Sequence, residues 1–384
     1  MSKLEKLIQQ YCPDVVEYKA LGEVTIMKRG TSATKGIMQE GNIPVISGGR
    51  QPAFYCNASN RTGEVITVAG SGAGAGYVQY WNEPIFVCDA FSIQGNETLN
   101  TKYVYYVLTS IQEKIYSTKK GGGVPHVHIS SIDKFEIPVP PLPVQEEIVR
   151  ILDTFTELQA ELQAELQKRK QQYNFYLDNL LNFKNINRGG QAEVRWMKLK
   201  DIGKVCMCKR ILKSQTSSSG DVPFFKIGTF GGNADAYISQ ALFNEYKAKY
   251  SYPQKGDVLI SAAGTIGRTI VFDGTPSYFQ DSNIVWLKHD ESIVLNSYLR
   301  YCYALNPWVV STGGTIARLY NDNILEATIP VPSLANQQRI VAILDRFDTL
   351  TNDLTSGLPA EMEKRRQQYE FYRDKLLTFK RKEA

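Results

Sequence analysis

The chain has 384 residues, of which 43% are hydrophobic and 22% charged, and a formal net charge of +5. That length suits two to four domains of about 100–200 residues each, and so much apolar content excludes a disordered chain. No apolar run approaches the ~20 residues of a membrane span, so no membrane association is expected; the mild basic excess permits a nucleic-acid partner without requiring one. The opening Met1-Ser2-Lys3-Leu4-Glu5-Lys6 lacks the apolar core of an export signal, so a cytoplasmic setting is expected. The cysteines at 12, 56, 88, 206, 208 and 302 form no C-x-x-C pair and are expected to be reduced, with Cys206 and Cys208 partly buried. The histidines, His126, His128 and His289, lack the spacing of a zinc site.

In chain order, the first distinctive element is the strand-like Val65-Ile66-Thr67-Val68 running into Ala69-Gly70-Ser71-Gly72-Ala73-Gly74-Ala75-Gly76. Gly70, Gly72 and Ala75 satisfy G-x-G-x-x-A, and Asp89 lies near the distance of a ribose-binding acid, so a cofactor-dependent enzyme using loop 70–76, for a dinucleotide or a methyl donor, is the alternative reading. Against it, Tyr77-Val78-Gln79-Tyr80-Trp81 reads as a strand, not as the helix whose N-terminus would hold a pyrophosphate. Next, Pro138-Val139-Pro140-Pro141-Leu142-Pro143 stops any earlier helix. Residues 144–183 then carry apolar side chains at 148, 151, 152, 155, 158, 162, 166, 173, 176, 180 and 183, the stripe of a single long helix. Within it, residues 157–166 repeat Leu-Gln-Ala-Glu in tandem, a unit that lengthens a helix without breaking it.

The chain then repeats itself. Ile137-Pro138-Val139-Pro140 returns as Ile329-Pro330-Val331-Pro332, and Gln145, Ile148, Leu152, Asp153 and Phe155 return as Gln337, Ile340, Leu344, Asp345 and Phe347, 192 residues later. Gln171-Gln172-Tyr173 and Phe175-Tyr176 return as Gln367-Gln368-Tyr369 and Phe371-Tyr372 at an offset of 196, so the second copy is four residues longer. Its stripe is read at 347, 350, 354, 358, 362, 369, 372, 376 and 379, with Pro359 expected to kink or restart the helix near Gly357. The preceding regions correspond weakly: Val65–Val68 and Gly70 with Val258–Ser261 and Gly264, Asp89 with Asp281, Gly121-Gly122 with Gly313-Gly314. Matching stripes are best satisfied by pairing the helices with each other.

These segments resemble the specificity subunit of type I restriction–modification enzymes. The resemblance runs the whole chain and rests most on Pro140-Pro141-Leu142-Pro143-Val144-Gln145-Glu146-Glu147-Ile148-Val149 with Ile151-Leu152-Asp153, on the tandem unit at 158–165, and on Gly357–Glu361 leading to Arg365–Tyr369. The expected fold is α/β (α+β), with two similar target-recognition domains separated by two long helices in an antiparallel coiled coil of pseudo-twofold form. The expected domains are 1–140, recognition domain 1; 141–187, helical spacer; 188–331, recognition domain 2; and 332–384, second spacer. The resemblance implies a non-catalytic subunit that reads a bipartite site in double-stranded DNA, one domain per half-site. It also implies docking of two adenine-methylating modification subunits and, through them, restriction subunits. No cofactor is expected on this chain; in the family's complexes S-adenosylmethionine, ATP and magnesium belong to the partners. The sequence agrees, since Pro140-Pro141 and Asn306-Pro307-Trp308 do not make the Asn/Asp-Pro-Pro-aromatic motif of an adenine methyltransferase, and no P-loop exists.

Basic residues beside flexible turns are the candidate DNA contacts, because glycine lets backbone approach a phosphate that Lys or Arg neutralises. They are Lys28 and Arg29, Lys119 and Lys120 with His126, Lys209 and Arg210, and Thr315 with Arg318. Lys28-Arg29 and Lys209-Arg210 are expected in matching places after each domain's first strand. Candidate spacer and subunit-docking residues are Leu158, Leu162, Leu166, Tyr173, Tyr176, Leu350, Leu354, Tyr369 and Tyr372.

Overall fold

The computed structural model describes residues 3–13, 15–33, 40–183, 194–310 and 318–381. The chain divides into two units, residues 1–164 with 360–384, and residues 165–359. Each unit therefore takes a piece of both helical repeats, a division that the linear domain order of the sequence does not suggest.

Unit 1 opens with α1 (Lys3–Tyr11) and continues with β1 (Tyr18–Ala20), β2 (Thr25–Arg29), β3 (Ile43–Ile46), β4 (Phe54–Cys56), β5 (Val65–Ala69), β6 (Val78–Trp81), β7 (Phe86–Val87), β8 (Ala90–Gly95), α2 (Thr101–Ser110) and β9 (Glu136–Pro138). The long helix α3 (Leu142–Asn182) follows. Unit 2 holds β10 (Arg195–Lys198), β11 (Lys204–Met207), β12 (Val222–Phe225), β13 (Tyr237–Ile238), α4 (Gln240–Lys249), β14 (Val258–Ser261), β15 (Thr269–Val271), β16 (Tyr278–Phe279), β17 (Ile284–Lys288), α5 (Asn296–Ala304), β18 (Thr328–Val331) and α6 (Leu334–Asn352). The final helix, α7 (Leu358–Leu376), belongs almost entirely to unit 1.

The two units have the same sheets. Unit 1 has four strands ordered β2-β8-β5-β6, three ordered β4-β3-β7 and the pair β1-β9; unit 2 has β11-β17-β14-β15, β13-β12-β16 and β10-β18. In both three-stranded sheets one pairing is parallel, β3 with β7 and β12 with β16, while the four-stranded sheets are antiparallel throughout. The inner strands β5 and β14 are buried along their whole length, which is why both read as unbroken apolar runs rather than as alternation. The weak similarity of the two regions is thus one fold with different surfaces.

The strong repeat marks where each domain grips its helix. Gln145 is fully buried; its amide donates to the carbonyls of Thr98 (2.9 Å) and Pro140 (2.7 Å) and accepts from the Asn100 N–H (2.9 Å). Gln337, also fully buried, donates to Ile293 (2.8 Å) and Pro332 (2.9 Å) and accepts from the Leu295 N–H (2.9 Å). The hydroxyls of Tyr106 and Tyr301 donate to Asp153 and Asp345, and those of Tyr103 and Tyr298 to the carbonyls of Pro138 and Pro330. In unit 1 Glu147, only 3% exposed, is clamped by Arg150 and Lys3, and the Arg150 hydrogen bond above all lowers its carboxyl to about 2.

Helix α3 runs unbroken for 41 residues, starting with Pro143 in its first turn, where a missing N–H costs nothing. In unit 1 it packs antiparallel to α7: Phe155 stacks on Tyr372 (5.6 Å between centroids), and Gln159 donates to the Arg365 carbonyl. In unit 2 the remainder of α3 packs antiparallel to α6, with Tyr176 stacked on Phe347 at 5.1 Å. The second repeat is interrupted at 353–357, as Pro359 and Gly357 lead one to expect. There Asp353 accepts from the N–H and hydroxyl of Thr355 and from the Ser356 hydroxyl, and a Cβ on Gly357 would lie 2.4 Å from the Thr349 carbonyl oxygen. The four extra residues of the second copy are accommodated by this turn.

The stripe needs correction at this point. Leu354, on the turn, is 81% exposed and Leu158 is 45% exposed, whereas Leu177 and Leu181, absent from the stripe read in the sequence, are buried in unit 2. A helix advances ~100° per residue, so a stripe counted across 40 residues drifts onto the neighbouring column. Leu166 is buried, Leu162, Tyr173, Leu350 and Tyr369 are half-buried, and Tyr176 and Tyr372 are each 39% exposed. Cys206 and Cys208 are buried rather than partly buried, and burial raises the Cys208 thiol to about 12.

Candidate nucleic-acid interface

Both glycine loops join antiparallel neighbours: β5 turns into β6, and β14 into β15. Gly72 and Gly76 in the first loop and Gly264 and Gly267 in the second have φ between 66° and 83°, the left-handed region that glycine enters without strain. Because a strand follows each loop, neither loop opens a helix whose N-terminus could hold a pyrophosphate, which removes the basis of the dinucleotide reading for residues 70–76. Among the described residues no group of three or more His, Cys, Asp or Glu is placed to hold a metal, and no helix is long and apolar enough to cross a membrane.

In unit 1 the loop collects several of the candidate residues. The segment 125–128 is laced to it: Gly72 N–H donates to the Pro125 carbonyl and Val127 N–H to the Gly70 carbonyl, both at 3.0 Å. Lys120 and His126 exchange backbone hydrogen bonds of 3.0 and 2.8 Å, closing the Gly121–Gly123 turn. Arg29, Gly70, Cys88, Asp89, His126 and His128 line one open cleft of about 220 Å³. The imidazoles of His126 and His128 lie parallel, 6° between planes and 6.0 Å between centroids. Asp89 accepts a hydrogen bond from the Ser71 hydroxyl. Arg29 is exposed, as are Lys28, the residue before it in β2, and Lys120, the backbone partner of His126; Lys119 is half-buried, its ammonium 4.1 Å from the centre of the Tyr116 ring.

Sequence reasoning missed Arg61, which donates to the Arg29 carbonyl (2.8 Å) and the Ser92 hydroxyl (2.7 Å) and so pins the end of β2. A lone arginine in a variable region carries no sequence signal for such a role.

In unit 2 Lys209, Arg210 and Arg318 are exposed, and Thr315 lies outside the described residues. The Lys209 ammonium sits 5.2 Å from the centre of the Tyr250 ring, and the Lys209 carbonyl accepts from Tyr278. The expected equivalence of the two basic pairs fails. Lys28 and Arg29 are the last residues of β2, whereas Lys209 and Arg210 lie beyond the end of β11. Sheet register shows the shift: Val68 pairs Phe91, which pairs Arg29, while Ile260 pairs Val285, which pairs Met207. Lys28-Arg29 is thus matched by Cys206-Met207, and Lys209-Arg210 lies three residues out of step because local sequence does not encode strand register.

A match to the model of the type I restriction modification DNA specificity domain covers residues 13–169 and again 192–364, one match per recognition region. A Haemophilus influenzae protein named as a type I restriction enzyme specificity subunit is 44% identical, with 98% of each chain covered. The EcoR124I/EcoR124II specificity subunit of Escherichia coli is 31% identical over all of this chain and 98% of its own. Among solved structures, the S subunit of a type I restriction–modification system from M. genitalium shares the fold, with a TM-score of 0.62 at 16% identity over 94% of this chain and 96% of that one. The chain belongs to the type I restriction–modification specificity subunits, the non-catalytic DNA-recognition component of those systems.

Proposed function

We propose that the chain reads a bipartite site in double-stranded DNA, each recognition domain taking one half-site, and that it docks two adenine-methylating modification subunits and, through them, restriction subunits. The observation that carries this reading is one sheet topology built twice with different surface residues: two readers of one design that read different sequences. The helical repeats, by contrast, agree closely, and each leaves the same aromatic residue exposed, Phe175 at 61% and Phe371 at 62%. Two like surfaces suit two copies of one partner, whereas two unlike surfaces suit an asymmetric target. S-adenosylmethionine, ATP and magnesium would then be held by the partners. Methylation mapping in cells with and without the chain tests the proposal: a bipartite adenine-methylation motif present only with the chain supports it, and a motif unaffected by deletion refutes it.

Lys28 and Lys120 are assigned to phosphate contacts, since both are exposed, Lys28 next to the cleft residue Arg29 in the chain and Lys120 bonded through its backbone to His126. Replacing both by alanine is expected to weaken binding of the whole complex to specific and non-specific DNA alike and to reduce the slope of log K against log salt by roughly one per lost contact. Filter binding across a salt series measures this; an unchanged slope would place both lysines away from DNA.

A further inference from the structure

One three-residue rung has the same construction in both units. In unit 1 it is His126-Val127-His128. Val127 is 1% exposed and belongs to the core, its N–H is bonded to the glycine loop at Gly70, and the flanking imidazoles stand outward in the cleft. In unit 2 it is Arg318-Leu319-Tyr320. Leu319 is 3% exposed and belongs to the core, its N–H donates to Ala262 of the second glycine loop (2.9 Å), and both flanking residues are exposed. Each rung leads directly into a short helix, Ile129–Ile132 or Asn321–Leu325. The buried central residue fixes the rung, and the period of two in extended backbone turns its neighbours to the same side. The fixed frame thus presents a variable pair.

Resting on the bipartite reading above, we infer that these flanking pairs, His126 with His128 and Arg318 with Tyr320, are base-reading residues, one pair for each half-site. The rung holds them rigidly, as reading base edges requires, while the surrounding lysines supply phosphate contacts. The spacing fits. The two histidine rings are 6.0 Å apart, two residues of extended backbone rise ~6.6 Å, and two base-pair steps of B-DNA are ~6.8 Å, so residues two apart on such a rung suit two bases with one between them. The chemistry separates the half-sites. A guanidinium donates bidentately to guanine O6 and N7, so Arg318 calls for a guanine in its half-site. A neutral imidazole offers one donor and one acceptor, suited to a purine edge in the major groove.

The test is a methylation-motif map of the complete complex carrying His126→Ala with His128→Ala, and separately Arg318→Ala with Tyr320→Ala. Each double variant is expected to relax two positions, separated by one unaffected base, in its own half-site, by on the order of 10- to 100-fold in discrimination at each, and to leave the other half-site unchanged. The Arg318 variant is expected to lose a guanine requirement. Should a double variant abolish methylation, the single changes His126→Gln, His128→Gln and Arg318→Lys, which keep side-chain length and polarity, are mapped instead. An unchanged motif, relaxation in the wrong half-site, or equal weakening on all sequences overturns the inference. If the unaltered chain directs no bipartite motif, the proposed function fails instead, and the two failures remain distinct.

Discussion

Deleting Leu158–Glu161 is expected to leave both half-sites of the methylation motif intact and to change the number of unread bases between them, by one. The deletion removes one of the two tandem Leu-Gln-Ala-Glu units from the interior of α3, an unbroken helix of 41 residues. Four residues of helix contribute ~6 Å of rise and overshoot one turn by ~40°. One base-pair step advances ~3.4 Å and turns by ~34°, since about 10.5 pairs make a turn. The rotation matches one step, and the excess translation has to be absorbed by tilt. The helix pair allows this: Gln163 moves into the place of Gln159, whose amide bonds the Arg365 carbonyl, and the second repeat is already broken at 353–357. The wanted measurement is the motif map of the deletion variant in the full complex. An unchanged gap in an active variant would show that the repeat is slack, and an altered half-site would show that it touches the recognition surface.

The second large effect is expected on stability. Replacing Gln337 with leucine keeps the volume but leaves the Leu295 N–H and the carbonyls of Ile293 and Pro332 without their partner in a fully buried site. A buried backbone group deprived of its hydrogen bond costs about 1–3 kcal/mol, so three should cost ~3–5 kcal/mol once relaxation is allowed for. For a unit of this size that corresponds to a fall of roughly 10 °C in Tm. Gln145→Leu is expected to act equally on unit 1, because its bonds repeat those of Gln337 one for one. The neighbouring Gln338 is exposed, and Gln338→Leu is expected to change stability by less than about 0.5 kcal/mol. Thermal melting of the three variants decides the matter; a Gln337→Leu protein as stable as the Gln338→Leu protein would contradict the packing described here.

The parts legible in the sequence were those carried by local rules. Gln145, Asp153 and Pro138–Pro140 recur because each makes a specific bond or break, so the repeat and the long helix could be read from spacing alone. Pro359 with Gly357 marked the interruption for the same reason. What stayed hidden depends on through-space register. Lys28-Arg29 and Lys209-Arg210 look alike in the chain, yet pairing to β8 and β17 sets them three residues out of step. Leu158 and Leu354 matched the stripe by count, but Leu158 lies off the buried column of α3 that passes through Leu177 and Leu181, and Leu354 falls on the turn at 353–357. The rung was half visible: His126 stood among the candidate DNA contacts beside a glycine turn, but Tyr320 carried no such signal, because its equivalence to His128 exists only through the bond from Leu319 to the second glycine loop. The mixed ownership of the helices, with α7 completing unit 1, is equally a property of contacts at long range.

The central claim is that two independent readers of one design sit on a common helical frame. An exchange of residues 1–140 for the corresponding region of a related specificity subunit, followed by methylation mapping of the hybrid in its complex, tests it most directly. The account predicts a motif in which one half-site takes the donor's sequence while the other half-site and the gap are retained. A hybrid motif altered in both half-sites, or in neither, would contradict it.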